Sequence, residues 1–293
     1  KYAGRGGRMT TALDRVSLHV DAGETVGVVG ESGSGKSTLG KVVVGLLQPD
    51  SGSIMFDGRS TVGLSRRQLG VTRQQIQMVF QDPYAALNPM LTVGEAIWEP
   101  MRVHNVGGTR QQQKAKVLEL LRTVGLRDEH FQRYPHEFSG GQRQRIGIAR
   151  ALILQPRFLL CDEPVSALDV SIQAQILNLL SDLRKEFALT YIFISHDLAV
   201  IRQVSDRVLV LYRGQLMGQG PVGQVFQKAA HPYSQLLLDA VPHQGMSLTQ
   251  RAERGFLAED GCLFRGRCGR VHDRCAAQPP LFSVSPTAVA QGP

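Results

Sequence analysis

The feature that most constrains this chain is a glycine-rich loop between an apolar run and a helical stretch. Residues 30–37 read GESGSGKS and fit the pattern G-x-x-x-x-G-K-[ST]. Thr25–Val29 precedes them as a strand-like apolar run, and a helical stretch begins at Lys36. Because glycines let backbone N–H groups close around phosphate oxygens at a helix N-terminus, this context predicts a bound nucleotide. Lys36 is expected to reach the β- and γ-phosphates, and the Ser37 hydroxyl to join a Mg²⁺ shell.

Strand-like and helical stretches alternate along much of the chain. The expected strands are Leu13–Val20, Thr25–Val29, Ile54–Asp57, Gln77–Phe80, Phe158–Cys161, Tyr191–Ile194 and Arg207–Leu211. The expected helices are Lys36–Leu47, Gln112–Val124, Ile146–Leu154, Ser171–Phe187 and Leu198–Val204. This alternation predicts a mainly parallel sheet with helices on both faces. Prolines and the lack of strand runs between about Pro83 and Arg150 predict a helical insertion.

Composition excludes several classes of protein. The 293 residues are 42% hydrophobic and 20% charged, as is usual for a globular chain. We expect no membrane span, because no apolar run approaches roughly 18 residues, and the N-terminus lacks signal-peptide features. The net charge of +8 comes from scattered arginines and does not by itself indicate nucleic acid. Four cysteines are too few for a secreted disulfide scaffold, which favours a reducing compartment.

Two adjacent carboxylates follow the apolar strand that ends at Cys161. Side chains alternate in direction along a strand, so Asp162 and Glu163 are suited to different roles. Asp162 fits the Mg²⁺ shell beside Ser37, and Glu163 fits the base that orients or deprotonates a water. The alternative is a solvated acidic turn. We interpret Cys161 as a buried small hydrophobic residue, and we expect His196, at the end of another parallel strand, to contact a γ-phosphate.

A second glycine motif, Ser139-Gly140-Gly141-Gln142, stands before a helix. Ser139 is expected to cap that helix, and the exposed N–H groups would form a second anion site. One nucleotide rarely needs two such sites in one chain. We therefore expect this site to serve a nucleotide held by another subunit.

With these motifs the chain resembles the ATP-binding cassette (ABC) ATPases over nearly its whole length. The matching stretches are GESGSGKST (Walker A), MVFQDP (Q-loop), SGGQ (signature), FLLCDE (Walker B), SALD (D-loop) and His196 (switch). The resemblance implies Glu163, His196 and Gln81 as catalytic residues and Ser37, Gln81 and Asp162 as Mg²⁺ ligands. The ATP-contacting residues it implies are Tyr2, Ser32, Gly33, Ser34, Gly35, Lys36, Ser37, Thr38, Ser139, Gly140, Gly141, Gln142 and Asp169.

The implied fold is an α/β P-loop NTPase (RecA-like) core with a mainly parallel sheet, an antiparallel β portion and an inserted helical subdomain. Residues 1–82 and 156–240 would form the nucleotide-binding core. Residues 83–155 would form the helical subdomain, and 241–293 a Cys-containing tail. The family works as a head-to-tail dimer, so Ser139, Gly141 and Gln142 would face ATP held by the partner's Lys36 and Ser37. Because the chain starts at Lys1 rather than Met, one half of a tandem-cassette polypeptide is an alternative.

Three longer stretches resemble the dipeptide, oligopeptide and nickel importer branch: MVFQDPYAALNPMLTV, YPHEFSGGQRQRI and HPYSQLLL. The branch implies an ATPase that powers uptake of short peptides through two separate permease subunits. A second cassette, identical or paralogous, and an extracytoplasmic binding protein complete such importers. The chain would lie peripherally on the cytoplasmic face of the inner membrane and would not bind nucleic acid. The alternatives are an importer of nickel or another small solute, and a soluble cassette ATPase acting on nucleic acid or ribosomes.

The tail stretch GCLFRGRCGRVHDRC also resembles this branch. Cys262, Cys268 and Cys275 resemble a cluster that holds a [4Fe–4S] centre in some relatives. The fourth ligand is not found, since Gln291 stands where the family pattern has its Cys. A three-Cys cluster with an outside ligand, a zinc site, a vestigial site and incidental cysteines remain alternatives. The arginines around them (Arg265, Arg267, Arg270 and Arg274) are expected to be solvated or to meet anionic lipid or the partner subunit.

Overall fold

The computed structural model describes residues 2–3, 9–239 and 261–277. Its strands are β1 (Tyr2–Ala3), β2 (Met9–Thr10), β3 (Thr25–Val29), β4 (Met55–Phe56), β5 (Arg59–Ser60), β6 (Ile76–Val79), β7 (Phe158–Asp162), β8 (Thr190–Ile194), β9 (Arg207–Tyr212) and β10 (Gln215–Pro221). Its α-helices are α1 (Lys36–Val43), α2 (Arg66–Gln75), α3 (Pro83–Ala86), α4 (Val93–His104), α5 (Arg110–Thr123), α6 (Gly140–Leu152), α7 (Val170–Glu186), α8 (Leu198–Val204), α9 (Val222–Gln227) and α10 (Pro232–Asp239).

The described residues fall into two compact units. The first draws on Lys1–Leu18, Gly27–Lys36 and His196–Pro293, and the second on His19–Val26 and Ser37–Ser195. Strand β3 contributes residues to both units. The four-part domain division expected from the sequence stays a prediction.

The second unit is built on parallel strands. β7 pairs in parallel with β6 on one side and with β8 on the other, and Phe158 lies opposite Ile76 and Thr190. Every residue of β7 is buried, as its apolar sequence predicts for a strand covered on both faces. Asp162 is the last residue of this strand, so burial of the apolar run carries a carboxylate to the carboxyl edge of the sheet.

The segment between β6 and β7 contains helices and turns but no strand, as the sequence predicts. It contains α3 to α6 and two short 3-10 turns, at Asp128–Gln132 and Pro135–Glu137. Ile97, Met101, Leu121, Ile146 and Ile148 form its apolar core and are almost completely buried. Because α4, α5 and α6 bury one face each, the N-terminus of α6 is held on a packed support.

The first unit supplies an antiparallel portion and an aromatic cluster. β9 pairs antiparallel with β10, with a bulge between Leu216 and Gly218. Tyr212 at the end of β9 packs against Tyr233 of α10, with ring centroids 4.5 Å apart. Phe264 packs against both rings, at 5.5 Å and 5.3 Å. The described part of the tail is therefore anchored by apolar contacts within this unit.

One strand prediction is wrong and another is too long. Leu13–Val20 contains no strand. Arg15 has φ +50°, which turns the backbone out of the extended region, and the Asp14 N–H donates to the Gly214 carbonyl. The strand expected at Ile54–Asp57 shrinks to Met55–Phe56, because Asp57 also takes a left-handed φ of +50°.

Candidate active site

The glycine-rich loop is folded around the ammonium group of Lys36. Lys36 Nζ donates to the Gly30 carbonyl at 2.7 Å and to the Glu31 carbonyl at 3.0 Å. The residue is only 6% exposed, so these bonds hold a buried cation in the loop. The predicted loop and its lysine thus lie within one local network.

Backbone conformation makes Gly35 necessary. Its φ is +103°, and a Cβ atom at this position would lie 2.7 Å from the Ala12 carbonyl oxygen. Ser34, the residue before Gly35, is held in place because its carbonyl accepts from the Gly214 N–H at 2.8 Å. Left-handed residues in a loop of this kind turn successive N–H groups toward one point, the arrangement that binds phosphate.

A hydroxyl and a carboxylate meet in the second unit. The Ser37 hydroxyl at the start of α1 lies 3.2 Å from Asp162 Oδ1, and Asp162 is 5% exposed. Oxygen atoms of this kind are the ligands that Mg²⁺ prefers in proteins. The pair therefore fits the magnesium site expected from the sequence.

Glu163, the second of the two adjacent acids, is hydrogen-bonded to Gln81 of the Q-loop motif. Gln81 Nε2 donates to Glu163 Oε2 at 3.0 Å. Glu163 has a left-handed φ of +47°, an uncommon value outside glycine, and its backbone is held on both sides. Its N–H donates to the Ile194 carbonyl, and its own carbonyl accepts from Ser166. The sequence predicted both residues of the Gln81–Glu163 pair but not their contact.

The signature motif caps α6 as predicted. Ser139 is the N-cap residue, and its Oγ accepts from the Gln142 N–H at 3.3 Å, while the Gln142 side chain accepts from the Ser139 N–H at 3.0 Å. Ser139 and Gly140 are exposed at the helix N-terminus. Gly141 is buried, and a Cβ there would lie 2.4 Å from Ile172 Cγ2 of α7. Gly141 therefore also serves the packing of α6 on α7, a role that sequence reasoning missed.

The remaining predicted residues lie at the ends of elements. Asp169 is the exposed N-cap residue of α7. His196 is exposed between β8 and α8, next to Asp197, whose carboxylate caps α8. Tyr2 belongs to β1, but its side chain lies outside the described residues. Their roles toward ATP stay predictions, as do those of Ser32, Gly33, Ser34 and Thr38.

Sequence reasoning missed a contact between the tail and the phosphate loop. Arg267 donates two hydrogen bonds to the Glu31 carboxylate, at 2.8 Å and 2.9 Å. The Glu31 N–H donates to the Tyr233 hydroxyl at 3.0 Å. The sequence pointed to Arg267 and to the HPYS stretch that contains Tyr233, but nothing in it identified a partner 236 positions away.

The three tail cysteines are free thiols, and Cys262 is buried. Cys262 Sγ lies 3.8 Å from His231 Nε2, and the Cys262 N–H donates to the Cys275 carbonyl. Burial raises the pKa of the Cys262 thiol. Among residues 2–3, 9–239 and 261–277, no group of three His, Cys, Asp or Glu side chains is arranged to hold a metal ion. The [4Fe–4S] centre therefore gains no support here. Cys161 is fully buried, as predicted.

An apolar cavity of about 270 Å³ lies in the second unit, beside the chain that follows Gln81. Most of its lining is apolar and includes Leu46, Phe80, Pro83, Leu87 and Pro100, and the polar part is Arg73, Gln77, His104, Gln144 and Arg150. Leu46 is 52% exposed and Phe80 39%, both high for large apolar side chains. Solvent-exposed apolar residues around a cavity are typical of a protein contact site.

Within the described parts of the chain, no helix is both long enough and apolar enough to cross a membrane.

Comparison with known proteins identifies the family of the chain. The sequence profile of the family "ABC transporter" matches residues 13–166, and that of "Oligopeptide/dipeptide transporter, C-terminal region" matches residues 217–275. The putative oligopeptide transport ATP-binding protein YkfD of Bacillus subtilis is 46% identical, with 95% of this chain and 88% of the relative covered. The oligopeptide transport ATP-binding protein OppF of Haemophilus influenzae is 47% identical, with 93% and 85% covered.

Solved structures give the same assignment. The dimeric post-hydrolysis state of the ATP-binding cassette MJ0796, bound to ADP and Pi, matches with a TM-score of 0.68 and 32% identity. The match covers 75% of this chain and 94% of that one. The predicted α/β P-loop NTPase fold is thereby confirmed. The chain belongs to the ABC transporter family and is an ATP-hydrolysing cassette of its oligopeptide/dipeptide branch.

Proposed function

We propose that this chain is the ATPase subunit of an importer that carries short peptides through separate permease subunits. The Gln81–Glu163 hydrogen bond carries the proposal, because it ties a candidate catalytic base to the segment that lines the apolar cavity. The relatives described as oligopeptide and di/tripeptide transport proteins support the choice of cargo.

ATP is proposed to bind with its β- and γ-phosphates on the glycine-rich loop and Lys36. Lys36 Nζ would exchange its bonds to the Gly30 and Glu31 carbonyls for phosphate oxygens. Ser37 and Asp162 would hold Mg²⁺, which supplies charge neutralisation at the phosphates when it is bound. Glu163 would orient and deprotonate the attacking water, and His196 would contact the γ-phosphate.

A second cassette is proposed to complete each site. The MJ0796 structures are dimeric. In such a dimer the N-terminus of α6, with Ser139, Gly141 and Gln142, would face the triphosphate bound by the partner. Two cassettes closing on ATP would couple hydrolysis to reopening of the dimer.

The permease contact is proposed to be the apolar cavity of the second unit. Binding of a partner would remove its exposed apolar side chains from water, and the residues that follow Gln81 form part of its wall. A permease segment docked there would move with the chain that positions Gln81 against Glu163. The ATPase would accordingly lie at the cytoplasmic face of the membrane, and an extracytoplasmic binding protein would deliver the peptide.

Reconstitution tests the proposal. The tagged chain is purified from membranes with its permeases, the complex is placed in proteoliposomes with the co-purified binding protein, and uptake of labelled di- and oligopeptides is measured with Mg-ATP. ATP-dependent peptide uptake that Glu163→Gln abolishes is the expected result. Uptake of Ni²⁺ instead of peptide, or ATPase stimulation by DNA or ribosomes without permeases, would contradict it. Iron and acid-labile sulfide analysis of anaerobically purified protein tests the [4Fe–4S] centre separately.

A further inference from the structure

Two residues of the first unit, one in the described part of the tail and one in α10, contact Glu31 of the phosphate loop. Arg267 of the tail binds both oxygens of the Glu31 carboxylate, and Tyr233 of α10 accepts from the Glu31 N–H. The Glu31 carbonyl in turn accepts from Lys36 Nζ at 3.0 Å. Glu31 therefore contacts Arg267 through its carboxylate and, through its main-chain carbonyl, the ammonium group expected to bind ATP.

The side chains that contact Glu31 are themselves held by packing. Tyr233 is fully buried and Phe264 is 2% exposed. The Arg267 guanidinium lies 5.7 Å from the Phe264 ring centroid and 6.0 Å from that of Tyr212, within reach of cation–π attraction. Its two-pronged bond to a carboxylate has the geometry that arginine provides and lysine does not. The Glu31 bonds raise the pKa of Arg267 further, so it stays charged.

The charge of Glu31 gives this contact a consequence for ATP. Glu31 immediately follows Gly30 in a loop that must receive a triphosphate, and an uncompensated carboxylate there opposes anion binding. The Arg267 side chain is only 22% exposed, so solvent screens the pair incompletely. Arg267 therefore neutralises Glu31 and fixes the main chain that holds Lys36.

We propose that the Cys-containing segment 261–277 is a strap on the phosphate loop, and that Arg267 is a positioning residue for ATP binding. The proposal rests on the ATPase activity of the chain and not on its cargo. Loss of the strap should weaken nucleotide binding because it leaves Glu31 charged beside the phosphates. The cysteines Cys262, Cys268 and Cys275 then belong to a segment whose contact with the ATP site runs through Arg267.

Nucleotide affinity of the purified chain tests the strap, with Mg-ATP titrated against a fluorescent ATP analogue and KM and kcat measured alongside. Arg267→Gln should weaken binding and raise KM about tenfold, equal to about 1.4 kcal/mol, with kcat changed less than about twofold. Glu31→Gln should stay within about threefold of wild type, and Glu31→Gln/Arg267→Gln should return to the value of Glu31→Gln, since no charge is left unpaired. Raising the salt concentration should narrow the gap between Arg267→Gln and wild type.

Arg270→Gln is the matched control, since it removes an exposed arginine of the same segment and should leave affinity unchanged. Wild-type affinity in Arg267→Gln would overturn the proposal, and so would a double variant as weak as Arg267→Gln alone. If Arg267→Gln does not fold, Arg267→Lys replaces it, with at least about threefold weaker binding expected and recovery on adding Glu31→Gln. Wild-type affinity in Arg267→Lys would then overturn it. None of these measurements involves permeases, so failure of the peptide assignment leaves them unaffected.

Discussion

The Ser37 hydroxyl and Asp162 Oδ1 lie 3.2 Å apart although 125 positions separate them in the sequence. Burial of two segments brings them together. β7 buries all five of its residues and ends at Asp162, while α1 begins one residue before Ser37. The geometry of the proposed magnesium site is therefore a product of the core of the second unit.

Asp162→Asn should shift the Mg²⁺ dependence of ATP hydrolysis. The amide oxygen still accepts from Ser37, so the fold is expected to survive, but the negative charge toward the cation is lost. The Mg²⁺ concentration for half-maximal activity should rise at least about tenfold, since even changes to residues that support metal ligands from behind cost about 10- to 100-fold in metal affinity. Asp182→Asn, an exposed position on α7, is the control. An unchanged Mg²⁺ curve in Asp162→Asn would remove this residue from the metal site.

Glu163→Gln should reduce kcat at least about 100-fold, in line with the contribution of a positioned base. ATP binding should persist, because the substitution removes a charge but keeps an oxygen that accepts from Gln81. Two cassettes that bind ATP without hydrolysing it should accumulate as a dimer, which size-exclusion chromatography with light scattering detects.

Glu119→Gln gives the control for Glu163→Gln, because Glu119 is an exposed glutamate on α5. It should retain wild-type turnover. Normal turnover in Glu163→Gln would show that another group acts as the base.

Gly141→Ala should destabilise the second unit by about 1–3 kcal/mol, the usual cost of overpacking. The added methyl would lie 2.4 Å from Ile172 Cγ2. Thermal or urea unfolding measures the loss, and Gly141→Ala/Ile172→Ala should recover part of it. Gly147→Ala in the same helix meets nothing within 4 Å and should be stabilising by up to about 1 kcal/mol. Equal behaviour of the two alanine variants would contradict the packing role.

Local patterns in the sequence located the residues of the candidate site, and their roles toward ATP and Mg²⁺ stay predictions. The glycine loop, the two acids at the end of β7 and the capping serine Ser139 each depend on residues within a few positions of one another. The Gln81–Glu163 and Glu31–Arg267 contacts escaped prediction because they join segments that are distant in the chain. From the sequence alone, the carboxylates of Glu163 and Glu31 would each suit a solvated surface equally well.

The fold was predictable where burial dominates and not where the backbone turns. The apolar runs of β3, β7 and β8 have the strand structure expected of them. Leu13–Val20 shows the same kind of alternation, but the left-handed φ at Arg15 ends any extended segment there. No residue preference marks an arginine for that conformation, so tertiary contacts such as Asp14 to Gly214 decide it.

Leu46→Ser should weaken association with the permeases while leaving basal ATPase activity and the melting temperature unchanged. Leu46 lines the apolar cavity and is 52% exposed, so its contribution to a docked segment is apolar contact area. Co-purification of permeases from detergent-solubilised membranes should fall at least about threefold, since losing one buried apolar side chain costs on the order of 1 kcal/mol or more. Val71→Ser, at a 60% exposed position outside the cavity, should have no effect. Equal losses in the two variants would argue against docking at this cavity.

Stability of the first unit should decline as pH falls below about 6.5, and His231 should contribute to the decline. Burial lowers the pKa of His231, and its Nδ1 accepts from the Tyr233 N–H, a bond that protonation removes. Below about pH 6.5 the unfolded chain binds more protons at His231 than the folded chain does. The contribution of His231 to the free energy of unfolding is therefore complete above about pH 6.5 and is lost as the pH falls toward the folded-state pKa. The slope is at most about 1.4 kcal/mol per pH unit. His231→Asn keeps an acceptor without a titrating ring and should flatten the urea-unfolding free energy between pH 7 and pH 5, whereas the exposed His136→Asn should not. A wild-type slope retained in His231→Asn would assign the pH dependence to other groups.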